Sequence, residues 1–278
     1  MAKYGMVIDI TRCNGCYNCF LTCQDEFCGN AYEGYSAAAP MQGHNWMRVT
    51  DIERGQYPRV KVNYIPRTCM HCDDASCIKA AENNAVYRRP DGIVVIDPVK
   101  ARGQKHLVNA CPYRVIEWNE EAQVPQKCNM CAHALDKGEK EPRCIESCPT
   151  SAMVFGDLDD PNSEISRLLK QTPAEPLCPE FMMQEKVRYI GLPRKFVAGT
   201  VVLKDKSECA HEAKVELYND KEKRETRTNM FGDFEFEGLE PNQAYNLRIS
   251  QPGYKEKKMR CSTGADIHVG EILLSPQA

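Results

Sequence analysis

The sequence has no long apolar run. None of its segments approaches the roughly 18 consecutive apolar residues that a membrane-spanning helix requires. Residues 1–9 also lack the apolar stretch and the small-residue cleavage site of a secretory leader. These absences predict a cytoplasmic protein. Transport across a membrane together with a leader-bearing partner is the alternative.

An excess of charge of one sign is also missing. The 278 residues have a formal net charge of −3 and interleaved acidic and basic side chains, so the basic surface of a nucleic-acid-binding protein is not expected. A G-x-G-x-x-G motif after a strand and a phosphate-binding loop are both absent, which argues against a nicotinamide, flavin or nucleotide site. His211 and His268 stand alone, and no catalytic residue is predicted.

Cysteine, in contrast, is abundant. The chain contains sixteen cysteines, of which twelve occur in closely spaced sets before residue 150. In a chain without a secretory leader, this density indicates metal binding rather than disulfides. Of the other four, Cys28 and Cys178 are predicted to be buried apolar side chains. Cys209 and Cys261 are predicted to be free thiols, and a disulfide between them is the alternative.

The first group of cysteines has the spacing of an iron-sulfur run. Cys13, Cys16, Cys19 and Cys23 form C-x2-C-x2-C-x3-C, the pattern of bacterial ferredoxins. In such a run the first three thiolates hold one [4Fe-4S] cluster and the fourth ligates a different cluster. The run therefore needs a ligand from elsewhere in the chain.

Later parts of the chain supply two further groups of three thiolates and two single donors. Cys69, Cys72 and Cys77 are spaced C-x2-C-x4-C. Cys111 is followed by proline, as is the last cysteine of a ferredoxin run. The final group is a C-x2-C-x12-C-x3-C-P run: Cys128, Cys131, Cys144 and Cys148. Two thiolate pairs are also typical of zinc, so a zinc-stabilised scaffold is the alternative for this group.

Counting ligands predicts three [4Fe-4S] clusters with no cysteine of the twelve left over. Three thiolate triplets and three single donors are present, and each run donates its last cysteine to another cluster. The predicted sets are set 1 (Cys13, Cys16, Cys19 and Cys148), set 2 (Cys69, Cys72, Cys77 and Cys111) and set 3 (Cys128, Cys131, Cys144 and Cys23).

The sequence lacks all the ligands of a fourth cluster site. The position that would complete the run of set 2 is Ala81, and the three positions that would precede Cys111 in its own run are Ala101, Gln104 and Leu107. Both halves of one site are absent, which predicts three clusters rather than four.

Two cations lie near predicted ligands. Lys127 precedes Cys128, and Arg114 follows Cys111 by three residues. A positive charge near a cluster favours its more negative reduced form and raises its potential. An ordinary surface position is the alternative for both side chains.

Residues 1–170 resemble the electron-transfer subunits of molybdopterin oxidoreductases, including those of dimethyl sulfoxide and polysulfide reductases. The three-cluster pattern is most similar to the small subunits of pyrogallol-phloroglucinol transhydroxylases, and catechol dehydroxylases share the architecture. The segments that carry the resemblance are GHNWM (43–47), CMHC (69–72), DGIV (91–94), QKC (126–128) and FGDLDDPNS (155–163). It implies an α+β chain that begins with a ferredoxin-like multi-cluster domain.

The remainder of the chain predicts a linker and a second domain. Residues 171–195 contain four prolines and are expected to cross the surface as a linker. Residues 196–278 contain short segments rich in β-branched and aromatic residues between turn clusters, which predicts an antiparallel sandwich or barrel. This all-β module resembles transthyretin-like and carboxypeptidase-regulatory-like domains, and a docking or stabilising role is expected.

The resemblance also implies partners. It predicts a heterodimer with a large catalytic subunit that holds molybdenum between two pyranopterin guanine dinucleotides and hydroxylates, transhydroxylates or dehydroxylates polyhydroxylated aromatics. An external electron donor is a further expected partner. The alternatives are an electron-carrying subunit of another dimethyl sulfoxide reductase-family enzyme and a free ferredoxin-like carrier that serves several enzymes.

Overall fold

The computed structural model describes residues 2–277, which divide into two compact units. Unit 1 extends to Asp51 and resumes from Asn63 to Leu192, and unit 2 combines Ile52–Val62 with the chain from Pro193 onward. The predicted division into 1–170, 171–195 and 196–278 did not include the contribution of Ile52–Val62 to unit 2.

Unit 1 consists of short helices and strands joined by long ordered loops. The elements that lie wholly or partly in it are β1 (Tyr4–Asp9), α1 (Asn18–Phe27), β2 (Arg48–Gln56), β3 (Arg59–Arg67), α2 (Ser76–Ala80), β4 (Val86–Arg88), β5 (Val94–Ile96), β6 (Glu117–Asn119), β7 (Val124–Gln126), α3 (Ala132–Leu135), α4 (Arg143–Glu146), β8 (Met153–Asp157), α5 (Glu164–Gln171) and β9 (Val187–Ile190). Two 3-10 turns span Lys105–Ala110 and Pro179–Phe181.

The central sheet of unit 1 has the order β8-β1-β9, with β8 antiparallel and β9 parallel to β1. Strand β9 lies in the stretch that was predicted as a linker. Its apolar sequence, with a fully buried Tyr189, pairs with β1. The prolines of 171–195 mark turns around this strand, and the stretch is part of unit 1.

Unit 2 is an all-β sandwich. Its strands are β10 (Lys195–Leu203), β11 (Glu208–Cys209), β12 (Lys214–Tyr218), β13 (Lys223–Arg227), β14 (Asp233–Leu239), β15 (Ala244–Ser250), β16 (Lys257–Ser262) and β17 (Ile267–Leu274). One sheet joins β10 to β11, β14 and β17, and the other has the order β13-β12-β15-β16. Alternate side chains of both sheets form one core that includes Val201, Phe234, Val215 and Leu247. The sheets are separate, so the barrel alternative does not apply, and β17 runs parallel to β10.

Strand β2 runs from unit 1 into unit 2, and its hairpin partner β3 begins in unit 2 and returns to unit 1. Gly55 adopts a φ of +83°, and an added Cβ there would lie 2.3 Å from the carbonyl oxygen of Arg59 and 2.7 Å from the Phe196 ring. Glycine is required at this position because any side chain would collide with backbone. Arg59 and Lys61 also pair with Glu235 of β14. The sequence of residues 29–58 shows little periodicity and predicts an ordered loop, whereas the structure forms β2 from Arg48 onward.

Among residues 2–277, no helix combines the length and the apolar character needed to cross a membrane.

Candidate metal centres

In three of the C-x2-C pairs, the residue directly before the second cysteine has a left-handed backbone conformation. The residues are Gly15 (φ 70°), His71 (φ 45°) and Met130 (φ 52°). This conformation bends the chain sharply, so that a short loop can direct two thiols toward one point. At Gly15 an added Cβ would also lie 2.5 Å from the Tyr64 ring, so glycine is needed there.

The four cysteines of set 2 line one cavity: Cys69, Cys72, Cys77 and Cys111. Cys77 lies on α2, and Cys111 follows the 3-10 turn Lys105–Ala110. The Ser76 hydroxyl donates to the carbonyl oxygen of Ala110 at 2.6 Å, which ties these two segments together. The pKa of Cys77 is raised to about 11, mainly by burial, with Lys127 acting to lower it and the charges of Cys69 and Cys111 acting to raise it.

The cysteines of set 3 line a second, more apolar cavity: Cys23, Cys128, Cys131 and Cys144. Its other walls include Met6, Phe27, Met47 and Met130. Burial, followed by the charges of the other set members, raises the pKa of Cys23 and Cys144 well above the usual thiol value. These thiols need a cationic partner to persist as thiolates in such surroundings.

The cysteines of set 1 lie close together nearer the surface. Burial raises the pKa of Cys19 to about 12, and so do the charges of Cys13, Cys148 and Cys16. Cys16 is exposed. At Cys148, burial acts to raise the pKa, but hydrogen bonds from Thr150 and from the backbone, including the Ala152 N–H at 3.3 Å from Sγ, together lower it.

Two short helices explain why sets 1 and 3 exchange cysteines. Cys19 and Cys23 are four residues apart on α1, so they occupy the same helix face one turn apart. Cys144 lies on α4, and Cys148 follows two residues after that helix ends. Because α1 packs against α4, one cysteine of each pair reaches each set.

Neighbouring thiols place the three sets in the order set 1, set 3, set 2. The charge of Cys19 acts on Cys23 and Cys144 of set 3. The charge of Cys69 of set 2 acts on Cys128 of set 3. Set 3 therefore lies between the other two, although three of its four cysteines come later in the chain than every cysteine of set 2.

The donor chemistry fits [4Fe-4S] clusters. Each set brings together four thiols, the ligand complement of such a cluster. In residues 2–277 no three His, Cys, Asp or Glu side chains are arranged around a single metal ion, and cluster ligation does not need this, because each thiolate binds a different iron. An unpaired buried donor in set 2 supports the same fit. His71 accepts the Val94 N–H at Nδ1, at 3.0 Å, and its Nε2 has no partner among the described residues.

His71 was not identified from the sequence. It lines the cavity of set 2 and is 1% exposed. Burial, assisted by Lys127 and Arg88, holds its pKa well below the usual value, so the imidazole is neutral. With Nδ1 accepting, Nε2 carries the proton and is a donor. The C-M-H-C loop contains the only sequence signal for this residue.

Lys127 and Arg114 have different surroundings. Lys127 is 4% exposed, lines the cavity of set 2, and donates from Nζ to the carbonyl oxygens of Val94 and of Cys128, the latter at 3.1 Å. Burial acts to lower its pKa, but the charges of Cys69, Cys77 and Cys128 outweigh this and raise it. The alternative prediction, a surface position, is therefore wrong for Lys127. Arg114 is exposed.

The positions of the missing fourth site are filled by core. Ala101 and Leu107 are fully buried in one apolar cluster, and Ala81 packs against it. Gln104 is buried beside them and accepts the Glu82 N–H at 3.0 Å. The four positions come together in space, as a lost cluster site requires, and no thiol is among them.

A second buried polar group missed from the sequence lies beside set 3. Glu26 accepts from Tyr32 and contacts His133 at 2.8 Å and Arg143 at 3.2 Å. Burial acts to raise the pKa of Glu26, but these three partners outweigh it and lower that pKa. These side chains connect α1, α3 and α4. They are far apart in the sequence, so no local motif predicts their contact.

No disulfide forms among the cysteines of residues 2–277, so Cys209 and Cys261 are not paired with each other. Cys28, Cys178 and Cys261 are partly buried, and Cys209 is exposed on the edge strand β11.

Comparisons with known proteins agree with this organisation. The 4Fe-4S dicluster domain family matches residues 60–158, and the carboxypeptidase regulatory-like domain family matches residues 197–270. The chain is 41% identical over 260 residues to the pyrogallol hydroxytransferase small subunit of Pelobacter acidigallici, covering 91% of this chain and 92% of that one.

Two further relatives belong to other complexes. The arsenate respiratory reductase iron-sulfur subunit of Shewanella sp. is 31% identical, over 68% of this chain and 96% of its own length. A tetrathionate reductase subunit of Salmonella typhimurium is 34% identical, over 70% of this chain and 75% of its own length.

Proposed function

Because the chain belongs to the family of iron-sulfur subunits of molybdopterin oxidoreductases, we propose that it relays single electrons to or from the molybdenum site of a large catalytic subunit. The observation that carries this proposal is the line of three four-cysteine sets, with an exposed cysteine, Cys16, at one end. Bound [4Fe-4S] clusters would supply one-electron transfer at each set.

The chain's own residues hold and insulate the clusters. The twelve cysteines of sets 1, 2 and 3 provide the thiolates, with set 1 completed by Cys148, set 2 by Cys111 and set 3 by Cys23. Apolar walls such as Met6 and Met47 keep water from set 3, and backbone N–H groups reach ligand sulfurs, as Met130 does at Cys128. Such contacts and the exclusion of solvent set cluster potentials.

The number of clusters is three in this proposal. The support for it is the ligand count together with the filled fourth position, where Ala81, Ala101 and Leu107 share one apolar core. A family member with four clusters needs cysteines at those places.

The catalytic partner is proposed to hold molybdenum with two pyranopterin guanine dinucleotides and to act on polyhydroxylated aromatics. The support is the 41% identity to a pyrogallol hydroxytransferase small subunit, which extends over both units. The sequence of unit 2 predicts no catalytic residues, and we propose a docking or stabilising role for this unit.

Co-purification tests the subunit proposal. The native protein is expected to elute with a larger chain that contains molybdenum at equal stoichiometry. Isolation as a stable monomer without such a chain contradicts it and supports the free carrier.

Electron balance in the purified complex tests the substrate class. Conversion of a polyhydroxylated benzene without consumption of reductant supports transhydroxylation, and consumption of one electron pair per product supports dehydroxylation. If the complex converts none of these compounds, the substrate proposal is overturned. The electron-transfer role is then tested separately by co-purification.

A further inference from the structure

Lys127 is positioned between two ligand sets. Its side chain lines the cavity of set 2 together with the thiols of that set, including Cys69 and Cys77. Its backbone belongs to the residue directly before Cys128 of set 3, and the Cys128 charge acts on the same ammonium group. One cation is therefore shared by the two sets.

The ammonium group is fixed in this position. Nζ donates to the carbonyl oxygen of Val94 on β5 and to that of Cys128. These carbonyl groups are neutral, so they orient the ammonium group without neutralising its charge. With 4% exposure, water screens the charge little. Its field therefore acts on the thiolates of both sets.

Reduction of a cluster adds one negative charge within a site that already has four thiolates. A nearby buried cation stabilises the reduced form more than the oxidised form and so raises the reduction potential. The clusters of sets 2 and 3 would both experience this effect, because Lys127 lines the cavity of set 2 and contacts the carbonyl oxygen of Cys128. No cysteine of set 1 lines that cavity.

We propose that Lys127 is a shared positioning charge that raises the reduction potentials of the clusters of sets 2 and 3 together. This inference rests on the proposed cluster assignment. It gives these two clusters a common means of remaining reducible in a buried, apolar part of unit 1, where an uncompensated negative charge is costly. The potential of the set 1 cluster is then set independently, by its own exposure.

Redox titration of the whole complex, followed by electron paramagnetic resonance, tests the proposal with Lys127→Met and Lys127→Gln. Both variants remove the charge, and Met keeps the side-chain length in an apolar cavity. Each cluster signal is assigned with a variant that lacks one of that cluster's own ligands. The expected result is a shift of the set 2 and set 3 potentials to more negative values, with the set 1 potential unchanged. Lys127→Arg, which retains a positive charge, is expected to shift them less.

Arg114→Gln is the matched control, because it removes an exposed cation near Cys111. It is expected to leave all three potentials unchanged. The proposal is overturned if the set 2 and set 3 potentials of the Met and Gln variants equal those of the wild type at full iron content. A shift of equal size at all three clusters also overturns it, because that indicates a general structural change. Absence of iron and sulfide from the wild type overturns the proposed function instead.

Discussion

Cys19 and Cys23 lie one turn apart on the same face of α1, yet they belong to different ligand sets. One helix thus supplies a cysteine to each of two sets, and the two Cα positions differ by about one helical turn along its axis. This relationship makes sets 1 and 3 neighbours, and the effect of the Cys69 charge on Cys128 extends the line to set 2.

Cys111→Ser is expected to damage the set 2 cluster alone. Serine is a poor substitute for a thiolate, and Cys111 shares its cavity only with Cys69, Cys72 and Cys77 among the cysteines. Iron analysis should show a loss of up to about four iron atoms, and spectroscopy should show the set 1 and set 3 signals unchanged. Cys178→Ser, outside all three sets, is the control. Loss of the set 1 signal in Cys111→Ser would show that the donor assignment is incorrect.

His71→Leu is expected to lower the potential of the set 2 cluster and no other. The neutral imidazole retains its Nε2 proton because Nδ1 accepts from Val94, and a hydrogen bond to a cluster sulfur raises the potential. The exposed His106, which contacts the Ala80 carbonyl oxygen, gives the control variant His106→Leu. An unchanged set 2 potential in His71→Leu, with all iron retained, refutes a role for this donor.

Leu107→Ala is expected to destabilise unit 1 while the iron content stays the same. Leu107 is fully buried in the core that fills the missing fourth site, and truncation of such a side chain costs about 2–5 kcal/mol. Hydrogen exchange of β4 and β5 measures the change in the free energy of opening. Val99→Ala, at a side chain that is 81% exposed, is the control. Loss of iron without loss of protection would indicate that this region takes part in cluster binding.

The stability of unit 2 is expected to depend on pH through Glu216. This carboxylate on β12 pairs with Lys223 and Arg248 of the adjacent strands, which lower its pKa from 4.5 to about 2. A lowered folded-state pKa stabilises above pH 4.5, and this contribution is lost as pH falls toward 2.

The measurement compares Glu216→Gln with the wild type by hydrogen exchange of β15, corrected for the intrinsic exchange rate at each pH. The difference in opening free energy should be constant above about pH 5 and vanish near pH 2. Glu271→Gln, at an exposed position on β17, is the control. A difference that persists unchanged to pH 2 would mean that the ion pairs at Glu216 contribute nothing.

The grouping of the cysteines could be predicted from sequence because ligand spacing is local. Each C-x2-C pair requires only one bent loop, and the exchange of last cysteines is a property of the run itself. That these sets hold clusters stays a prediction. The sandwich of unit 2 was also predictable, since alternating apolar residues such as Phe234 and Phe236 specify a strand with one buried face.

Other features depend on packing between distant segments. The order of the sets follows from the contact of α1 with α4, and the burial of Lys127 from the approach of β5. The hairpin end at 52–62 joins unit 2 because Gly55 fits against Phe196. Strand β9 was not predicted, because the prolines on both sides of it are typical of a linker and its pairing with β1 cannot be read from the sequence. None of these relationships leaves a periodic signal in the sequence.

Iron and acid-labile sulfide analysis of the native complex tests the central claim most directly. Three clusters on the twelve cysteines of sets 1, 2 and 3 predict about twelve iron atoms and about twelve sulfides for each copy of this chain, beyond any in the partner. About sixteen of each would mean that a fourth site exists despite Ala81 and Leu107. Zinc without iron or sulfide would establish the scaffold alternative and contradict the account.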